Sequence, residues 1–129
     1  MRDFKLYYLP WAAWVGVLFT FAFLSLPESP QPASLSIDKV RHAAAYALLG
    51  ALAARAIAGA VRRGGTFAFV VAFFTVAVVG VGTEMIQSFV PTRTADVVDL
   101  ACDLAGGVAG ALAYLWAFTG RPTRAENET

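Results

Sequence analysis

Charge is scarce in this 129-residue chain: Asp, Glu, Lys and Arg make up 15% of it, against about 25% in an ordinary soluble domain. With 58% hydrophobic residues, that shortage excludes a surface that faces water all round and makes lipid the solvent. A formal net charge of +1 excludes electrostatic binding to nucleic acid as the main activity. A single cysteine, Cys102, excludes an intrachain disulfide. No G-x-S-x-G is present and no serine lies near His42 in sequence, so a serine nucleophile has no obvious actor. The length leaves no room for a large soluble catalytic domain, and there is no internal repeat.

What the chain does have is four long apolar runs. A helix rises about 1.5 Å per residue and crosses a hydrocarbon core of about 30 Å in roughly 20 residues. This predicts an all-α membrane protein, a four-helix bundle with spans near residues 6–26, 39–61, 65–86 and 98–119, forming one domain over 1–129. Arg2 and Lys5 resemble the head of a signal peptide. The run that follows is longer than such a peptide uses and lacks a small-residue cleavage site, so a retained span is expected. Pro27, Pro30 and Pro32 cannot continue a helix and are expected in an extended loop. Asp38 is expected to cap the second helix, and Arg62-Arg63-Gly64-Gly65 to end it. Arg55 interrupts the second span and is expected to snorkel toward the interface.

The basic residues divide unequally between the two sides. Arg2, Lys5, Arg55, Arg62, Arg63, Arg121 and Arg124 fall on one, and Lys39, Arg41 and Arg93 on the other. That bias predicts both termini in the cytoplasm, residues 121–129 forming a short cytoplasmic tail. Acids contribute little to topology, yet Glu28, Asp38, Glu84, Asp96, Asp99 and Asp103 all collect at the opposite end.

On the second helix Asp38, His42 and Tyr46 recur every four residues, on one face. On the third, Glu84 and Gln87 share a face. On the fourth, Asp96, Asp99 and Asp103 continue into Gly106 and Gly110, so acids and glycines form a single stripe. Small residues four apart let a neighbouring backbone approach closely, which turns the acids into the bundle. Carboxylates at membrane depth avoid lipid, and Lys39, Arg41, Arg93 and a protonated His42 are the partners at hand. The expected result is a polar pocket open to the outside.

These residues carry a resemblance. Asp38-Lys39-x-x-His42-x-x-x-Tyr46-x-x-Leu49-Gly50, then Glu84-x-x-Gln87-x-Phe89-x-Pro91-x-Arg93-x-x-Asp96-x-x-Asp99, then Gly106-x-x-x-Gly110 resembles the VanZ-like family over roughly residues 27–117. The resemblance implies a compact four-helix membrane domain and an effect on susceptibility to the glycopeptide teicoplanin. Where the family usually carries Asn, this chain has Asp103. Either that acid keeps its proton or the pocket holds an additional cation.

The functional expectation is a site that binds or acts on a cell-envelope component, lipid-linked or peptidoglycan-related. His42, Glu84 and Asp99 are the catalytic candidates: His42 and Glu84 as an acid/base pair, Asp99 orienting His42 or a water. Lys39, Tyr46, Gln87, Arg93 and Asp96 are the candidates for binding, with Arg93 and Lys39 holding an anionic group. Asp38, Asp103, Gly106 and Gly110 are read as structural, as is Cys102, about 100° round the helix from Asp103. No cofactor is expected; a metal ion held by His42, Glu84 and Asp99 is the lesser option, since these residues lack a diagnostic metal-binding spacing. Two rival readings remain: a small four-helix transporter or channel working as a dimer, and a non-catalytic membrane scaffold. Transporters of that kind typically place an ionisable residue at mid-membrane, and the first and third spans have none there.

Overall fold

The four apolar runs become four helices because within lipid a backbone must satisfy its own hydrogen bonds, and a helix does so inside one segment. In a computed structural model these are α1 (Arg2–Phe23), α2 (Ile37–Val61), α3 (Gly65–Ser88) and α4 (Val97–Thr119). The structure describes residues 2–24, 37–61, 65–91 and 93–119. The proline loop, the Arg62-Arg63 turn and the tail 121–129 lie outside the described residues. All four helices are long and apolar enough to span a membrane.

What is buried agrees with that solvent. The interior is built from small residues, among them Ala53, Ala54, Ala68, Ala72 and Ala111, while Phe74, Val78, Trp116 and Phe118 are exposed. A water-soluble bundle would bury the large side chains. In lipid, close approach of backbones holds helices together, and small residues permit it.

The most extensive pair is α2 with α4, which run parallel and are joined through the antiparallel α3. A Cβ added at Gly106 would land on the carbonyl of Ala43, and one at Gly110 on the carbonyl of Ala47. Reciprocally, a Cβ at Gly50 would land on the carbonyl of Gly107. The acid-and-glycine stripe of α4 therefore faces α2 along its length, as its spacing indicated.

Helix α1 packs outside, on α2 and α3. Trp14 Nε1 donates to the Ala45 carbonyl across this contact at 3.0 Å. Pro10 lies inside α1. A proline has no N–H, so the carbonyl four residues back loses its intrahelical donor. That carbonyl belongs to Leu6, and Arg55 Nη1 donates to it at 3.1 Å. The same guanidinium sits 5.2 Å from the centre of the Tyr7 ring. Arg55 thus fastens α2 to α1 and completes a backbone bond that Pro10 removed, where snorkelling alone had been expected.

One boundary expectation changes. Helix α2 begins at Ile37, so Asp38 stands in its first turn rather than at the cap. It still places a negative charge at the positive end of the helix. Among the described residues a side-chain cap is seen on α4, where Asp96 Oδ1 accepts from the Val98 N–H at 2.8 Å.

Candidate functional site

The polar residues of α2, α3 and α4 meet at the end of the bundle where α3 stops and α2 and α4 begin. They form three tiers. At the rim, Lys39 Nζ donates to Asp99 Oδ1 at 2.9 Å and to Asp96 Oδ2 at 3.1 Å. One tier inward, His42 Nδ1 and Asp103 Oδ1 are 2.9 Å apart. Deeper still, the Tyr46 hydroxyl and Thr83 Oγ1 are 2.6 Å apart, and Thr83 Oγ1 lies 3.0 Å from the Gly80 carbonyl of its own helix. At 1.5 Å per residue, Asp103 stands about 9 Å beyond the start of α4.

Helix periodicity explains who takes part. Lys39, His42 and Tyr46 are spaced three and four apart and share a face that Asp38, four before His42, also reaches; the contacts with Asp96 and Asp99 make Lys39 the residue engaged there. On α3, Gly80, Thr83, Glu84 and Gln87 are all buried and follow the same rule. Thr83 was absent from the sequence reading, although its place in this stripe marks it.

The structure distributes the candidate residues differently from the roles first given them. Asp99 is bonded to Lys39, while the partner of His42 is Asp103, which is fully buried. Asp103, read as structural, therefore joins the site. It is Asp103 rather than Asp99 that converges with His42 and Glu84: one donor atom from each of the three lies within 4.8 Å of the others. Glu84 Oε2 accepts from the Asp96 backbone N–H at 3.1 Å, tying α3 to the start of α4. Lys39, Asp96 and Glu84 together hold the loop between α3 and α4 against α2.

Asp96 lies just outside the spanning segments. Its carboxyl is held below the usual carboxylate range, first by the Val98 N–H and then by Lys39. Arg93 is half-buried in that loop, its Nε shielded from solvent with no hydrogen-bond partner. Among the described residues no carboxylate pairs with it, and Arg41 is exposed and likewise unpaired. Gln87 is buried, and Cys102 is half-buried and unbonded to sulfur.

Four apolar helices gathering a histidine, four acids and a lysine at one end define a class: a small multi-pass membrane protein with an ionisable site within reach of one membrane face. The family is shown directly, since the VanZ/LLP1 family model matches residues 5–118. The chain belongs to that family. No curated protein and no solved structure matched it.

Proposed function

We propose that this protein binds or acts on an anionic, lipid-linked component of the bacterial cell envelope at its polar end, with the effect on teicoplanin susceptibility that the family resemblance implies. One observation carries the reading: Arg93 has no carboxylate partner among the described residues, and it stands in the α3–α4 loop, which Glu84 of the His42, Glu84 and Asp103 cluster holds by the Asp96 N–H. A guanidinium fork matches phosphate and carboxylate geometry, and the other cation of the site, Lys39, is already held by two aspartates. Acyl or prenyl chains suit the apolar outer surface. The acids and His42 would then meet the head group.

The test is recovery of a bound lipid. Wild-type protein purified in detergent should carry an anionic lipid-linked precursor detectable by native mass spectrometry, and Arg93→Gln should lose most of it. The same bulk phospholipids on both proteins, and no precursor on either, would overturn the reading.

The proposal also needs the polar end to face outward, in the plasma membrane, with both termini cytoplasmic. The seven-to-three partition of Lys and Arg supports this orientation. On intact cells an impermeant thiol reagent should label Thr94→Cys and leave Gly65→Cys untouched. Labelling of Gly65→Cys alone would invert the model.

A further inference from the structure

Two buried carboxylate oxygens in the site have no hydrogen-bond partner among the described residues. Glu84 is 8% exposed and Asp103 0%, and the oxygens are Oε1 of the first and Oδ2 of the second. Their other oxygens are engaged, by the Asp96 N–H and by His42. Lys39 is bonded to Asp96 and Asp99 instead. A buried carboxylate needs a compensating charge. A single imidazole faces two of them, and with both ionised it leaves a net negative charge even when protonated.

We propose that His42, Glu84 and Asp103 bind a divalent transition-metal ion of the zinc or manganese class. The donor set is one imidazole nitrogen and two carboxylate oxygens, which suits these ions; magnesium and calcium prefer oxygen alone. In a tetrahedral zinc site the donors sit roughly 3.4 Å apart. Here the donor atoms lie within 4.8 Å of one another, and His42 and Asp103 are already 2.9 Å apart. The ion takes the place of the proton between His42 and Asp103, which is released to solvent. Glu84 Oε1 supplies the third bond. Three protein ligands leave a position open, as sites that take water or substrate do. A second cluster, Asp38, His42 and Asp99, is close enough to hold an ion, but Asp99 is committed to Lys39.

The experiment uses the full chain in detergent, stripped with a chelator, then titrated with zinc or manganese alone by calorimetry and by thermal unfolding. Wild type should bind one ion per chain and gain melting temperature with ion concentration, as mass action requires. Magnesium at the same concentration should leave it unchanged. Glu84→Gln and Asp103→Asn should each weaken binding by more than the roughly tenfold loss seen on removing an outer-shell partner. Without metal, both variants should melt no lower than wild type, because each removes one of two buried carboxylates that share a single imidazole. Asp38→Asn should bind as wild type does.

No saturable binding of either ion by wild type overturns the proposal. So does undiminished binding in whichever of Glu84→Gln and Asp103→Asn folds, or loss of binding in Asp38→Asn alone. A chain that takes up the ion but carries no envelope lipid leaves this inference standing and removes the proposed function.

Discussion

Gly110→Leu should unfold the bundle or leave it misassembled in detergent, while Gly16→Leu should be neutral. At position 110 the first added carbon meets the backbone carbonyl of Ala47, and no rotamer of the new side chain avoids that. At position 16 nothing lies within 4 Å of the same carbon. Overpacking a core with extra methylenes costs about 1–3 kcal/mol when neighbouring side chains shift to make room. Here the neighbour is a helix backbone, so α2 and α4 must separate and the cost should exceed that range. Separation also pulls Lys39 from Asp99 and His42 from Asp103. Polar contacts within membranes average only about 0.6 kcal/mol each, so the steric term dominates the loss. Thermal unfolding of the two variants beside wild type checks this. If Gly110→Leu melts with wild type, the α2–α4 contact is not the close approach described.

Glu84→Gln should abolish the protection against teicoplanin proposed for this protein, with the fold retained. The amide oxygen can still accept from the Asp96 N–H, as Oε2 does now at 3.1 Å, so the loop between α3 and α4 keeps its anchor. What disappears is the charge, along with the carboxylate oxygen that has no partner among the described residues. His42→Ala should abolish protection as well, but with a stability loss, because it strands the carboxylate of Asp103 in a fully buried position. Orphaning one partner of a buried pair costs about 3–5 kcal/mol in soluble proteins; the shallow depth of this site sets a smaller figure. Adding Asp103→Asn to His42→Ala should restore part of the stability and none of the protection. Susceptibility of expressing cells, read beside melting temperature, separates the two effects. Protection retained by both His42→Ala and Glu84→Gln in folded protein would make this cluster structural.

The shared loss in these variants follows from geometry that a single helix cannot reveal. Asp103 and Asp99 look alike on α4: both continue the stripe that ends in Gly106 and Gly110, and both were available to orient His42. Which one does so depends on how far α4 is slid along α2. That slide is set where Gly106 and Gly110 seat on Ala43 and Ala47 and Gly107 on Gly50. Lys39 rather than Asp38 joins the inward face for a related reason, since both lie within the angular width of a helix face and only contact with Asp96 and Asp99 chooses between them.

Four helices, their approximate ends and the inward turn of the acids were legible in the residues themselves. Each rests on a local quantity: the length of an apolar run, or a spacing of three and four along one helix. The partner of Arg55 was not legible, because Leu6 and Tyr7 lie far away in sequence and the need they meet arises from Pro10. Nor was the role of Thr83, whose hydroxyl matters only because Tyr46 on another helix reaches it. The pairing of His42 with Asp103, and the two unpartnered oxygens beside it, belong to tertiary structure alone. Side-chain spacing along a helix is determined by 3.6 residues per turn, whereas register between helices is determined by which small residues allow two backbones to touch.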